Sequence, residues 1–166
     1  MHTFSLQTRL YSGPGSLAAL QRFSHQHIWI VCDGFLARSP LFERLRAALD
    51  IAKKRADIII TTGGLGPTCD DLTKNVLADA FGKKLVFHEE SAQRIRAYFA
   101  RTGRRMTDNN LQQAMLPEGC TVLDNDWGTA PGCAFQADGV HVIMLPGPPS
   151  ECGPMFQYRA VPYLQQ

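Results

Sequence analysis

The sequence has no apolar run near the roughly 20 residues that a bilayer-crossing helix needs, so it offers no membrane span. Its start, Met1 to Leu10, lacks the apolar stretch and cleavage site of a secretory signal. The cysteines, Cys32, Cys69, Cys120, Cys133 and Cys152, form no Cys-x-x-Cys pair. An odd, scattered set reads as reduced cytosolic thiols and excludes both a disulfide framework and a zinc site. Charge of either sign is not in excess: 17 Lys+Arg against 15 Asp+Glu leave a net charge of +2. That balance argues against nucleic-acid and membrane-surface partners. Repeats, linkers and low-complexity stretches are also missing. What remains is 166 residues, 45% hydrophobic, 19% charged and 9% aromatic, which suits a single well-buried domain. The expectation is a soluble, cytoplasmic α/β protein.

Periodicity along the chain alternates between strand and helix. Leu6–Tyr11 predicts a strand, Ser16–Phe23 a helix, and the apolar run His27–Cys32 a buried parallel strand. Pro40 opens a helix that continues to Arg55, at the position where a missing N–H costs nothing. Asp57–Thr62 is the clearest strand, and helical spacing returns from Asp70 to Ala80 with Gly82 as its stop. Leu85–His88 predicts a short strand, Glu89–Arg101 an amphipathic helix ended by Gly103, and Asp108–Met115 a short helix ended by Pro117. Thr121–Leu123 is strand-like. Cys133–Gln136 and Val140–Leu145 form a hairpin with Asp138-Gly139 at its tip, followed by a helix over Ser150–Gln157. This order predicts a three-layer α/β/α sandwich around a mostly parallel sheet, plus the hairpin.

The chemistry concentrates after the 57–62 strand, which runs directly into Gly63-Gly64-Leu65-Gly66-Pro67-Thr68 and then a helix. Glycines let a ligand approach the main chain, and a helix start offers unpaired N–H groups and a positive dipole end. In open α/β sheets ligands sit beyond the carboxyl ends of strands, where this loop falls. No Gly-Lys-Ser/Thr follows, so it is not a Walker A loop, and it is not a Gly-x-Gly-x-x-Gly dinucleotide fingerprint. Asp70, Asp71 and Thr73 admit two readings. Carboxylates in a first helical turn complement the dipole; beside a phosphate they recruit Mg²⁺ or orient a hydroxyl. Pro146-Gly147-Pro148-Pro149 follows another strand and is either a second rigid loop on that edge or a stiff turn. Asn125 with Gly128-Thr129-Ala130-Pro131-Gly132 is a plain turn or a ligand-facing loop. His88 and His141 have no ligand-spaced partner and read as structural, and Arg104-Arg105 as solvated surface.

From about Asp50 to Leu164 the chain resembles the molybdopterin-binding, MoaB/Mog-like domain at the front of CinA-type competence/damage-inducible proteins. The matching motifs are Thr-Thr-Gly-Gly-Leu-Gly-Pro-Thr-Cys-Asp-Asp-Leu-Thr at 61–73, Asn109-Asn110 with Gln113-Ala114, Asn125 through Gly-Thr-Ala-Pro-Gly at 128–132, and Leu-Pro-Gly-Pro-Pro-Ser-Glu at 145–151. The resemblance implies a phosphate-bearing small ligand, molybdopterin or ADP-ribose-like, cradled by Gly63, Gly64 and Gly66. Leu65, Pro67, Thr68, Thr73, Asn125, Gly128 and Thr129 complete the near side, with Pro146, Gly147, Pro148 and Ser150 opposite. Asp71 falls where the family carries its key acid, the expected Mg²⁺ and catalytic residue, with Asp70 beside it. Related Mog-type proteins perform Mg-dependent adenylyl transfer to molybdopterin; CinA-type domains are linked to ADP-ribose pyrophosphate hydrolysis. Self-association is also implied.

Residues 1–49 depart from that family. Its first strand–helix–strand, with Gly-Thr-Glu and Asp-Thr-Asn motifs, is absent. In its place Leu-Gln-Thr-Arg-Leu-Tyr-Ser-Gly-Pro-Gly-Ser-Leu at 6–17 and Ile-Trp-Ile-Val-Cys-Asp-Gly-Phe-Leu at 28–36 resemble the start of an iron-containing alcohol dehydrogenase. The glycine-rich pyrophosphate loop and iron ligands of that enzyme are missing, so dehydrogenase activity is not expected. No counterpart of the CinA-type amide-hydrolase domain is present, and deamidase activity is not expected either. The expected organisation is a β-α-β-α segment over 1–49 packed into one domain with residues 50–166. The expected function is binding of a molybdopterin or nucleotide pyrophosphate, with Mg-dependent phosphoryl or adenylyl chemistry. The rivals are an ADP-ribose pyrophosphatase, a non-catalytic binding domain and a fusion remnant.

Overall fold

The computed structural model describes residues 29–31, 40–68 and 71–166. The strand expected at Leu6–Tyr11, the helix at Ser16–Phe23, and the residues Cys69 and Asp70 lie outside them. Five strands form one sheet in the order β1-β2-β7-β6-β5: β1 Trp29–Val31, β2 Ile58–Thr62, β5 Thr121–Leu123, β6 Gly132–Ala137 and β7 Val140–Leu145. β1, β2 and β7 run parallel, and the hairpin then adds β6 and β5 antiparallel. The hairpin turns on Asp138 and Gly139, at φ 53° and 79°, the left-handed pair that a two-residue turn requires.

Alternation along the strands separates two apolar layers. Ile59, Val142 and Met144 face Leu49 and Ala52 of α1 (Pro40–Lys53) and Val76, Leu77 and Phe81 at α2 (Thr73–Ala80). Ile60, Ile143 and Leu145 face Met155 and Ala160 of the C-terminal helix. The three layers expected from the element order are therefore present. A smaller unit stands beside them. It comprises α3 (Glu89–Thr102), a 3-10 helix (Asp108–Ala114), and an antiparallel ribbon of β3 (Leu85–Phe87) and β4 (Met115–Pro117), with Ala92, Ile95 and Ala114 at its centre. His88 caps α3 by accepting from the Ser91 N–H, and Gly103 closes it at φ 65°.

Three boundaries differ from expectation. α2 begins at Thr73, not Asp70, because Asp71 folds back onto Thr68 and the Thr73 N–H is held by the Gly64 carbonyl at 3.2 Å. The helix before Pro117 ends at Ala114, and Pro117 closes the two-stranded ribbon, a strand-end position that tolerates a missing N–H. The final helix does not stop at Gln157. α4 (Pro149–Met155) continues through a π turn, Phe156–Ala160, into α5 (Val161–Leu164). Pro154 lies inside α4 and Pro162 in α5, and the wider turn before Pro162 relieves the clash of its ring with the carbonyl four residues earlier. Among the described residues no helix is long and apolar enough to cross a membrane, and Cys120, Cys133 and Cys152 are free thiols.

Candidate functional site

Sheet direction decides which loops meet. β2 and β7 are parallel neighbours with Thr62 beside Leu145, so the loops after them leave the same edge. β5 is antiparallel to β6, which is antiparallel to β7, so the loop after Leu123 emerges there too. Three separate motifs, at 63–68, 124–131 and 146–151, are thereby collected at the carboxyl edge.

The first loop is tightly folded. Gly63 and Gly64 have φ of 84° and 68°, and the Gly63 N–H donates to the Leu145 carbonyl at 2.9 Å. A Cβ on Gly64 would stand 2.1 Å from Thr73 Oγ1, and one on Gly66 would stand 2.5 Å from Asp71 Oδ2. Both glycines are therefore needed for the loop to close over α2. Leu65 is buried in the main core, so only its main chain belongs to the site. Asp71 accepts from the Thr68 N–H at 2.9 Å and from the Thr68 hydroxyl, both on Oδ2. Thr73 is buried, and its hydroxyl has no partner among the described residues. Gly66 and Pro67 are half-buried, and Thr68 is exposed.

The opposing loop packs closely enough that a Cβ on Gly147 would stand 3.3 Å from Gly63 Cα. Pro146 is buried, whereas Gly147, Pro148 and Ser150 are exposed. The third loop is tied to it through Asn125, whose amide nitrogen donates to the Ala130 carbonyl at 2.8 Å and to Glu151 Oε2 at 2.7 Å. Its Oδ1 accepts from the Trp127 N–H. Gly128 accommodates the same carboxylate, since a Cβ there would lie 2.1 Å from Glu151 Oε2.

Lys74, Gln113 and Glu151 were not among the expected site residues. Lys74 is 3% exposed, and its Nζ donates to the carbonyls of Gln112 and Gln113 at 2.9 and 3.1 Å. Burial pulls its pKa down to about 8, against the opposing pull of Cys133 and Asp71. Gln113 in turn donates to Thr129 Oγ1 at 3.1 Å, while its own carbonyl oxygen is buried with no partner among the described residues. α2, the 3-10 helix and the 124–131 loop are thus linked beneath the edge. A legible signal for Lys74 existed: with Leu77, Ala78 and Phe81 it occupies the buried helical stripe. A groove of about 370 Å³ opens between α3 and the 124–131 loop. It takes in Asn125, Gly128 and Thr129, but not the 63–68 or 146–150 loops.

Residues 42–166 match the family described as “probable molybdopterin binding domain”. The chain is 56% identical over 123 residues to a protein of Acetivibrio thermocellus named competence-damage inducible, covering 74% of this chain and 30% of that protein. It is 55% identical over 122 residues to a CinA-like protein of Dictyoglomus turgidum, with the same coverage of 74% and 30%. The chain therefore spans about 30% of the length of these curated relatives. Among solved structures, the crystal structure of CinA from Thermoplasma acidophilum superposes with a TM-score of 0.60 at 31% identity, covering 72% of this chain and 68% of that one.

Proposed function

The chain belongs to the molybdopterin-binding domain family, in its CinA-like form, and on that premise we propose that its carboxyl-edge loops bind a molybdopterin-related pyrophosphate or a dinucleotide-like ligand such as ADP-ribose. The observation that carries this reading is a glycine loop, left-handed at Gly63 and Gly64, that lies beside Gly147 at the carboxyl edge, opens α2 and has Asp71 folded onto it. The Gly63 and Thr68 N–H groups are already engaged, so the N–H groups of Gly64, Leu65 and Gly66 and the positive end of α2 would stabilise the charge of the phosphates.

Asp71 is the acid of this site. Its Oδ2 is committed to Thr68, which fixes the carboxylate on the loop and leaves Oδ1 for a cation. Among the described residues no three His, Cys, Asp or Glu gather into a metal cage. The single loop-held carboxylate of Asp71 suits Mg²⁺, which is commonly held by one or two carboxylates together with the ligand's phosphates. Bound there, Mg²⁺ would withdraw charge from a pyrophosphate and ease attack at phosphorus. The protein's own contribution is to hold the phosphates against the loop and to keep Asp71 in place through Thr68.

The test is calorimetric titration of the chain with ADP-ribose, and separately with molybdopterin, each with and without Mg²⁺. Asp71→Asn keeps the acceptor for Thr68 but removes the charge. It is expected to lower Mg-dependent affinity about tenfold, the loss of roughly one charge-assisted contact. Release of AMP from ADP-ribose, or transfer of an adenylyl group to molybdopterin, distinguishes the two chemistries. Affinity and Mg²⁺ dependence left unchanged by Asp71→Asn would overturn the assignment.

A further inference from the structure

The five cysteines are scattered along the sequence, but the sheet brings two of them together. β5 runs antiparallel to β6 with Val122 opposite Cys133. Cys120 stands two residues before Val122, so it shares that face and lies diagonally across from Cys133. Both pack into the main core with Val122 and Phe135, and both are free thiols joined by a hydrogen bond.

The two thiols differ in access. Cys133 is fully buried, whereas Cys120 is half-buried at the turn that enters β5. That turn is tight: the Cys120 N–H donates to the Pro117 carbonyl at 3.1 Å, and Gly119 takes a left-handed φ of 70°. The Lys83 ammonium is fixed nearby, donating to the Glu118 carbonyl at 2.9 Å and lying 5.0 Å from the centre of the Phe135 ring. The hydrogen bond with Cys133 pulls the Cys120 thiol below its ordinary range; burial opposes this, and its own N–H and Lys83 add to it. The thiol readier to ionise is therefore also the one a reagent can reach. Lys74 is near enough to Cys133 to favour its thiolate in turn.

We propose that Cys120 is a thiol-modification site that attacks low-molecular-weight disulfides, and that Cys133 resolves the adduct into a Cys120–Cys133 disulfide. The Cys120 thiolate bonds to one sulfur of the small disulfide and expels the other half as a thiolate. The Cys133 sulfur then attacks Cys120 and breaks the mixed disulfide, and its proton leaves with the expelled thiol. Two electrons pass from the cysteine pair to the small disulfide, which ends as two thiols. A diagonal pair stands further apart than an S–S bond requires, and the turn at Gly119, outside the ladder, supplies the movement. The bridge closes a ring of chain from 120 to 133 that contains the whole 124–131 loop. Oxidation thereby staples one of the three carboxyl-edge loops at its base, whatever ligand that edge takes.

Mass mapping of the full chain after exposure to oxidised glutathione tests this. Cleavage at Asp124 and Asp126 separates the two cysteines, so a bridge between them is recognised directly. The wild type should gain a Cys120–Cys133 link that reduction reverses, while Cys133→Ala should accumulate glutathione on Cys120. In Cys120→Ser, Cys133 should react about tenfold more slowly than Cys120 does in the wild type, because a buried thiol reacts only when the core opens. Hydrogen exchange over 124–131 should slow in the bridged form. An inert Cys120, glutathione resting on wild-type Cys120 without a bridge, a bridge that favours Cys32, Cys69 or Cys152, or undiminished reaction of Cys133 in Cys120→Ser would each overturn the proposal. Exchange unchanged by the bridge would refute the staple. The wild-type map needs no substitution, so it decides the matter where a variant fails to fold.

Discussion

Gly64 and Gly82 share a left-handed backbone, with φ of 68° and 63°, but only Gly64 is also crowded. At Gly82 an added Cβ would meet nothing within 4 Å, so Gly82→Ala costs only the backbone penalty, about 1 kcal/mol. At Gly64 the same methyl would collide with Thr73 Oγ1, adding an overpacking cost of about 1–3 kcal/mol, for a total near 2–4. Urea denaturation of the two variants checks this order, and equal losses would mean that the loop yields without strain. Lys74 makes a second prediction. Its folded pKa of about 8 lies below the ordinary 10.5, chiefly through burial. Between those values the unfolded chain holds a proton that the folded chain has released, so this residue's contribution to stability grows as pH rises from 8 to 10.5. The slope is at most about 1.4 kcal/mol per pH unit. Cys133, raised by its hydrogen bond with Cys120 and by burial, acts with the opposite sign, because its unfolded thiol ionises first. The measurable quantity is therefore the difference between wild type and Lys74→Met in denaturation at pH 7.5, 9 and 10. The wild type should gain on the variant as pH rises, and parallel profiles would contradict a depressed lysine.

At the scale of elements, patterns with one dominant local cause were legible. The isoleucine run gave β2, Asp138-Gly139 gave the hairpin, and Gly103 gave the end of α3. Boundaries set by tertiary contact were not. Asp70 and Asp71 read as a first helical turn, yet the Asp71 carboxylate turns back to Thr68 and the helix waits until Thr73. The Thr73 N–H that would belong to a longer helix is spent on Gly64. Helical spacing up to Gln157 was correct as far as it went. It missed that a π turn lets the chain pass Pro162 without stopping. The glycine loop and its acid could be proposed from residue types. The α3 groove could not, because its walls come from segments about thirty residues apart whose contact depends on how the smaller unit docks on the sheet.

For the molecule as a whole, the site depends on three loops behaving as one edge, and Asn125 is the joint between two of them. Both hydrogens of its amide are used, on Ala130 and on Glu151, and its oxygen holds the Trp127 N–H. Sequence placed Asn125 on a turn or a ligand-facing loop; its partner Glu151 lies 26 residues away and becomes visible only when β5 and β7 share a sheet. Asn125→Ala removes the tie and is expected to cost about 1–2 kcal/mol. Asn125→Asp preserves shape but replaces the donor with a second carboxylate against Glu151. It therefore leaves the Ala130 carbonyl unpaired and adds like-charge repulsion, for about 2–3 kcal/mol at neutral pH. Such a pair raises its own pKa on folding, so the folded variant takes up protons before the unfolded one, and its penalty should shrink as pH falls from 7 toward 4.5. Hydrogen exchange over 124–131 should quicken in both variants, since that loop is no longer held to α4. Denaturation at the two pH values decides the matter: if aspartate is no worse than alanine at neutral pH, Asn125 is a surface turn and the carboxyl edge is not the single unit on which the ligand site depends.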